Sequence, residues 1–581
     1  MGFVRAGTET EPPSDEAVGP DAAPSPWYVR RRRFLEAAGF VVFAAALFTV
    51  YLRLSRTMPE NSDQANVLLE ASDMLHGNLL LHGWYKADVS FYTTELPQYA
   101  LLEIIFGVHA NTAHIAAAMT YTLAALLAVL VARGGFTSRA AVVRTAIAAG
   151  IMLAPQLGIG ISALLLSVGH IGTSVPVLLI LLLLDRVGPG GTTPPKPPPL
   201  LEGNLSPQTP SAPRTPLGYI PLLTGLGLAW VLIADQLVLI VGVIPLALVC
   251  ASRVIEGAVR ERSLSRGVRA RWYELSLIAA AGAAVGLAWV VERVLRALGG
   301  YILSPIPFKF TLHDVPANLH ALWAVPQIFG ADYRGLTGAV FVIAVLHMIS
   351  VALVILAVLL VVWRFFAGAS LVDQVLAVAI VANVALFALT SAGSEGPHEI
   401  AVVAPFGAAL AARMLAGQAR PQAAGARAGR APARRARAVA YGAGLVVLAG
   451  YLGGLAHEVV QPAAPPDNSQ LASWLETHHL RYGLGGYWES SIVTVETGGQ
   501  VKVRALLKNN MERDLWLAKP SWYDPASQRA NFIVLSSAPG YLYWEPRALI
   551  TKYFGRPARV YNFGPYTVMV WDRNLLPSIP R

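Results

Sequence analysis

The sequence predicts a polytopic α-helical membrane protein with a smaller α/β domain at its C-terminal end. Of the 581 residues, 55% are hydrophobic and only 14% are charged, whereas an average soluble protein has about 25% charged residues. Apolar runs near the roughly 20 residues that cross a bilayer recur between residues 34 and 457. Beyond residue 457 the pattern changes to short β-rich runs separated by Gly, Pro and Asn.

The net charge of +10 does not indicate nucleic-acid binding, because the arginines concentrate in short loops between apolar runs. Such loops stay on the cytoplasmic side of a membrane. The single cysteine, Cys250, lies in an apolar run and excludes an intramolecular disulfide. Composition therefore implies a lipid bilayer as a partner and no nucleic acid.

Residues 1–33 are predicted to be a disordered cytoplasmic tail. Up to residue 26 they are rich in Pro, Glu, Asp and Ala and lack apolar periodicity. Residues 30–33 are all arginine and directly precede the first apolar run, which places the N-terminus in the cytoplasm.

Residues 34–457 are predicted to form the transmembrane domain, with about eleven helices, the N-terminus inside and the C-terminus outside. The predicted spans are 34–54, 110–133, 139–158, 168–186, two within 217–252, 274–298, 336–364, 370–391, 400–416 and 438–457. This arrangement puts the Pro-rich linker 187–216 and every arginine-dense loop inside. The acidic and aromatic loops 55–109 and 299–335 then lie outside.

The outer segments carry their own secondary-structure signals. In the first outer loop, apolar spacing predicts a helix around 64–77, and the stretch 97–107 is predicted to lie along the bilayer surface. After residue 457, LASWLETHHL has helical spacing, while IVTVET, VKVRALL, NFIVLSS and YTVMVWD are predicted strands. We therefore expect residues 458–581 to form an extracytoplasmic α/β domain.

The candidate functional residues are polar side chains that this topology brings to the outer face. They are Asp63, Asp88, Glu95, His170, Asp235, Arg334, Glu395, His398 and Glu399. A carboxylate beside the bilayer can act as a general base on an acceptor hydroxyl. It can also hold a divalent cation or a basic group that neutralises a lipid phosphate. Either role suits the transfer of a sugar from a polyprenyl phosphate.

The first outer loop resembles that of the GT-C glycosyltransferases, a class that includes protein O-mannosyltransferases and aminoarabinose transferases. In that class the loop runs Asp-Glu, then a helix ending near a Gly, then an aromatic segment leading into Pro-Pro-Leu-Tyr. This sequence has Asp63-Gln64, then ASDMLHGN, then SFYTTELPQY. The run TGLGLAWVLIADQLVLIVGVIPLAL also resembles the family segment GLGLAxxxKGPxxL. The resemblance implies that Asp63 is the catalytic carboxylate, acting on the acceptor or binding a metal.

The sequence departs from the family pattern at several positions. Gln64 replaces the second acid of the pair, and Leu96 replaces the first proline. His170 stands at the acidic position of a later outer loop, and the Lys of KGP is replaced near Ala234-Asp235. These departures leave the donor and the need for a divalent metal open, and no cofactor is certain.

Each main residue also has a simpler interpretation. Asp63 with Ser62 could cap the following helix. Asp88 could be a turn residue, His170 an interfacial histidine, and Asp235 the mark of a turn between two spans.

The sequence therefore predicts a membrane glycosyltransferase that transfers a sugar from a polyprenyl-phosphate-linked donor. Its acceptor would be a glycan, lipid or protein on the outer face of the cytoplasmic membrane. A transporter or flippase and a non-enzymatic cell-envelope scaffold are the alternatives. Substrate-dependent uptake would favour the transporter, and loss of activity on removing Asp63 with folding retained would separate the enzyme from the scaffold. The Ala, Gly, Arg and Pro bias resembles that of actinobacteria, where lipid-linked mannose and arabinose are donors.

Overall fold

The computed structural model describes residues 26–135, 139–153, 158–165, 168–187, 218–305, 309–310, 313, 315–416, 430–538 and 544–580. The predicted tail up to residue 25 and the predicted linker from residue 188 onwards lie outside these residues. The helices before residue 300 are α1 (Pro26–Ser55), α2 (Ser62–Leu75), α3 (Glu95–Phe106), α4 (Ala110–Arg133), α5 (Arg139–Leu153), α6 (Ile159–Leu165), α7 (Ile171–Val187), α8 (Tyr219–Ala234), α9 (Ile244–Arg260), α10 (Leu264–Ala270) and α11 (Trp272–Ala297).

The remaining helices and the strands are numbered in chain order. The helices are α12 (Val315–Ala321), α13 (Ala324–Ile328), α14 (Gly338–Trp363), α15 (Leu371–Leu389), α16 (Val403–Ala416), α17 (Arg430–Val459), α18 (Ser469–Thr477), α19 (Ser491–Glu496) and α20 (Arg547–Phe554). The strands are β1 (Tyr85–Lys86), β2 (Ile302–Leu303), β3 (Tyr482–Gly485), β4 (Lys502–Ala505), β5 (Phe532–Ser536), β6 (Arg559–Phe563) and β7 (Tyr566–Val570).

The chain is a multi-pass membrane protein. Within the described ranges, eight helices are long and apolar enough to cross a bilayer: Ala37–Ser55, Ala110–Arg133, Leu239–Arg260, Trp272–Ala297, Gly338–Trp363, Leu371–Leu389, Pro397–Ala416 and Gly442–Val459. Three further predicted spans coincide with the shorter helices α5, α7 and α8. The total of eleven spans and their orientation stay predictions.

The helix α16 lies at the centre of the bundle and packs against α4, α5, α14 and α15. It is built largely of Ala and Gly, and its residues are almost all buried. A Cβ at Gly407 would come within 2.9 Å of Val354 on α14, so the glycine permits a close approach of the two helices. Small residues at helix contacts are the usual way in which membrane helices pack closely.

The first outer loop folds into α2, β1 and α3. Asn61 caps α2: its side chain accepts a hydrogen bond from the backbone N–H of Asp63, and the Gln64 side chain accepts one from the N–H of Asn61. The two short strands β1 and β2 pair in parallel, which joins the first outer loop to the second. On α3, Leu101 and Ile104 are exposed, as expected for a helix that lies along the bilayer surface.

The C-terminal residues form a mixed five-stranded sheet in the order β4-β3-β5-β7-β6. Strand β3 pairs in parallel with β4 and β5, whereas β5 with β7 and β7 with β6 are antiparallel. The predicted strand IVTVET is wrong, because this run forms the helix α19. Its residues from Ser491 to Val495 are buried, and α19 packs against α2 and β4. Tertiary packing here outweighs the weak β-propensity of the β-branched side chains.

One hydrophobic core joins the first outer loop to the C-terminal sheet. Its buried members include Val67 and Leu68 on α2, Ile115 on α4, Val493 on α19 and Val568 on β7. Residues 48–581 accordingly form one compact unit. The predicted domain boundary after residue 457 thus marks a change of secondary structure, while packing continues across it.

A buried ionic network joins five helices at their ends remote from the first outer loop. The guanidinium of Arg413 on α16 lies 2.9 Å from Asp185 on α7 and also pairs with Asp373 on α15. Arg413 further donates to the carbonyl of Val131 on α4, and Arg144 on α5 donates to the carbonyl of Arg413. These contacts fix the helix ends relative to one another.

The predicted orientation can be tested with single cysteines. Because the native Cys250 is buried, it should not react with a membrane-impermeant maleimide. We expect Asn509→Cys, exposed in the C-terminal sheet region, to label in intact cells. We expect Arg266→Cys on α10 to label only after the membrane is permeabilised. The opposite pattern would contradict the orientation.

The ionic network predicts a specific stability loss. Replacing Arg413 by Met leaves Asp185 and Asp373 buried without their cation, and breaking a buried pair costs roughly 3–5 kcal/mol. We therefore expect a clear fall in the midpoint of thermal unfolding in detergent. The control is Arg260→Met, whose side chain is 66% exposed and pairs with Glu256; its midpoint should barely change. Equal shifts in the two variants would refute the role of the network.

Candidate active site

The carboxylate of Asp63 lies in the first turn of α2 but does not cap that helix. Since Asn61 is the cap, the side chain of Asp63 is available for another role, and the capping interpretation of Asp63 is wrong. The hydroxyl of Tyr487 donates a hydrogen bond to Oδ1 of Asp63 at 2.6 Å. Burial raises the pKa of Asp63, while the Tyr487 hydroxyl and the charge of His398 oppose that rise.

A buried histidine joins two carboxylates from different parts of the chain. His170 precedes α7, and its Nδ1 lies 2.8 Å from Oδ2 of Asp235, the residue that ends α8. The Nε2 of the same ring lies 3.4 Å from Oε2 of Glu399, in the short helical turn before α16. Asp235 also accepts hydrogen bonds from the Thr173 hydroxyl and from the backbone N–H of Leu237.

The line of alternating imidazoles and carboxylates continues towards Asp63. Oε1 of Glu399 lies 3.4 Å from Nε2 of His398, whose side chain is 39% exposed. His398 in turn lies near enough to Asp63 to lower the pKa of its carboxyl. The line therefore runs from the buried Asp235 through His170, Glu399 and His398 to the partly exposed Asp63.

Two further predicted carboxylates lie beside this line. Burial raises the pKa of Asp88, which lies near His170, Glu399 and Asp235. Burial raises the pKa of Glu95 to about 7, the carboxylate of Asp235 adds to the rise, and the hydroxyl of Thr94 opposes it.

The position of Glu95 depends on a glycine in the first turn of α7. A Cβ at Gly172 would clash with Oε1 of Glu95. The absent side chain therefore lets α3 bring its carboxylate against α7, two residues after His170. A carboxyl with a pKa near 7 can exchange a proton at neutral pH.

Among the residues that the structure describes, neither Arg334 nor Glu395 forms an ion pair with this cluster. Arg334 pairs with Asp332 at 3.2 Å, and its guanidinium lies 4.5 Å from the ring centroid of Trp323. Glu395 is exposed at the end of a short helical turn. A binding role for either residue stays a prediction.

The sequence interpretation missed two parts of this region. Tyr487 is not among the candidate residues, and its contact with Asp63 joins residues 424 positions apart. Glu70 and Lys86, both fully buried, form an ion pair in the first outer loop, and Lys86 Nζ lies 5.9 Å from the ring centroid of Tyr301. No local pattern distinguishes these residues from solvated ones.

The fit of a metal can be judged from the side chains present. Across the part of the chain that the structure describes, no three His, Cys, Asp or Glu side chains come together in a way that could hold a metal ion. Asp63 is paired with a tyrosine hydroxyl instead of with a second acid.

Comparisons with known proteins identify the fold. No family model matches the chain, and no curated protein matches its sequence. The crystal structure of ArnT from Cupriavidus metallidurans bound to undecaprenyl phosphate is similar to this chain, with a TM-score of 0.51 and 14% identity, over 92% of this chain and 98% of ArnT. Its apo state gives a TM-score of 0.50 and 13% identity, over 94% of this chain and 100% of ArnT.

The apo crystal structure of the Archaeoglobus fulgidus oligosaccharyltransferase also matches, at 14% identity over 85% of this chain and 69% of that one. Its TM-score is 0.43. The likeness to ArnT extends over nearly the whole of both chains. The chain therefore has the fold of ArnT from Cupriavidus metallidurans.

Proposed function

We propose that this protein is a GT-C glycosyltransferase that transfers a sugar from a polyprenyl-phosphate-linked donor to an acceptor at the outer face of the cytoplasmic membrane. The observation that carries the proposal is the carboxylate of Asp63, which does not cap its helix and stands next to the His398–Glu399–His170–Asp235 line. The similarity to ArnT, crystallised with undecaprenyl phosphate, supports a lipid phosphate as the carrier of the sugar.

In the proposed reaction Asp63 is the general base. Its carboxylate accepts the proton of the acceptor hydroxyl, whose oxygen forms a bond to the anomeric carbon of the sugar. The bond between that carbon and the phosphate oxygen breaks, and the polyprenyl phosphate leaves with the bonding electron pair. Asp63 lies at the N-terminus of α2, where the helix dipole stabilises negative charge and so counteracts the rise in its pKa that burial causes.

The histidines are suited to the negative leaving group. His398 is the partly exposed member of the line, so its ring can reach a bound phosphate. The buried His170 is held between two carboxylates, and this contact fixes Glu399, which in turn orients the ring of His398. We assign the contact with the phosphate to His398. His170, Asp235 and Glu399 orient the ring of His398 for that contact.

The role of Asp63 can be measured by transfer of radiolabelled sugar from polyprenyl-phosphate donors in membranes. Asn keeps the shape of the side chain but lacks the charge and the basicity, so Asp63→Asn should lower transfer roughly 10²- to 10⁴-fold. Because Asn61 caps α2, the variant should melt close to the wild type. The matched control is Asp572→Asn, whose side chain is 78% exposed in the C-terminal region and which should keep full activity.

Two results would count against this assignment. Equal transfer by wild type and Asp63→Asn would remove Asp63 from the chemistry and direct attention to Glu95 and Asp235. Absence of transfer by the wild type with every lipid-phosphate donor would contradict the transferase itself and favour a transporter or a scaffold.

A further inference from the structure

The segment after β3 docks on the first turns of α2 through several polar contacts. The hydroxyl of Ser62 donates to the carbonyl of Trp488 at 3.2 Å, and the side-chain amide of Asn468 donates to the same carbonyl at 2.9 Å. The ring of Trp488 packs edge-on against that of Tyr487, with centroids 4.9 Å apart. These contacts hold the backbone around Tyr487 against the helix that carries Asp63.

A directed chain of hydrogen bonds ends on the carboxylate of Asp63. The hydroxyl of Ser491 lies 2.6 Å from Oδ1 of Asn66 and donates to it, so the amide nitrogen of Asn66 faces away from Ser491. That nitrogen donates to the phenolic oxygen of Tyr487 at 3.2 Å. The Tyr487 hydroxyl must then use its own proton on another acceptor, and that acceptor is Oδ1 of Asp63 at 2.6 Å.

The contact occupies one oxygen of the carboxylate only. Burial and the neighbouring Asp63 raise the pKa of Tyr487 well above its usual value, so the phenol remains a proton donor. Among the residues that the structure describes, none forms a hydrogen bond to Oδ2 of Asp63. One oxygen is thus held in place, and the other can still accept a hydrogen bond.

We propose that Tyr487 is a positioning residue for sugar transfer, holding Oδ1 of Asp63 so that Oδ2 meets the acceptor hydroxyl. The inference rests on the proposed function and extends it, because it makes the C-terminal segment part of the active site. General-base catalysis requires the base within hydrogen-bond reach of the proton that it removes. A carboxylate that rotates freely would spend only part of its time in that geometry.

The simpler alternative is that Tyr487 only packs the C-terminal segment against α2. In that case loss of its hydroxyl would lower stability and leave the turnover of folded enzyme unchanged. A positioning role instead affects turnover, with little effect on the binding of the lipid-linked donor. The two roles therefore separate in kcat and KM.

The first experiment compares Tyr487→Phe with wild type in the full-length protein. Hydrogen bonds to charged groups are strong enough that we expect kcat to fall roughly 10- to 100-fold. The KM for the donor should stay within about twofold, because the phenol binds Asp63 and not the donor. The control is Tyr482→Phe, five residues earlier, whose hydroxyl donates to the carbonyl of Trp522; it should keep the wild-type kcat.

The second experiment is a double-mutant cycle with Asp63→Asn. If Tyr487 acts through the carboxylate, adding Tyr487→Phe to Asp63→Asn should lower transfer by less than about twofold further. Ser491→Ala, one step back in the hydrogen-bond chain, should lower kcat in the same direction by a smaller factor. Thermal unfolding of each variant shows whether the protein remains folded at the assay temperature.

The outcomes separate this inference from the proposed function. A wild type without transfer contradicts the proposed function. An active wild type with unchanged kcat in Tyr487→Phe overturns only the inference. The inference is overturned as well if the fall in transfer by the double variant equals the product of the falls in the two single variants. The inference is also overturned if Tyr487→Phe has a lower midpoint of thermal unfolding but the wild-type kcat at a temperature where it is folded.

Discussion

The arrangement of the candidate active site depends on the contact of one buried imidazole with two carboxylates. His170 joins the start of α7 to the end of α8 through Asp235, and to the turn before α16 through Glu399. All three residues are less than a tenth exposed, and a buried charge persists only when it is paired. The contact therefore fixes three helix ends with respect to each other, and with them the place of His398 and its distance from Asp63.

The first outer loop completes the site because it is held from two sides. Its capping box leaves the Asp63 side chain free, and Gln64, the residue that departs from the family pattern, closes that box. In this chain the residue at the position of the second acid therefore helps to cap the N-terminus of α2. On the other side, the C-terminal segment supplies the Tyr487 hydroxyl. The hydrogen-bond partner of this carboxylate is thus a neutral donor from a distant part of the chain.

The order of the apolar runs and the arginine-dense loops between them predict that Asp63, His170 and Asp235 lie on one side of the membrane. This pattern cannot predict their pairing, since His170 and Asp235 are 65 residues apart and Tyr487 and Asp63 are 424 apart. Such contacts depend on helix packing, which no local pattern encodes. The same limit explains IVTVET, a short β-branched run whose helical form depends on its burial against α2 and β4.

The hydrophobic core shared by α2 and the C-terminal sheet has a consequence for biosynthesis. Side chains such as Val67 and Leu68 are buried in part by Val493 and Val568, which leave the ribosome more than 400 residues later. Until then the apolar face of α2 lacks its cover, and exposed apolar surface of this kind is prone to aggregation. The apolar face of α2 therefore stays uncovered until the C-terminal residues have been synthesised. In a prematurely terminated chain it remains exposed.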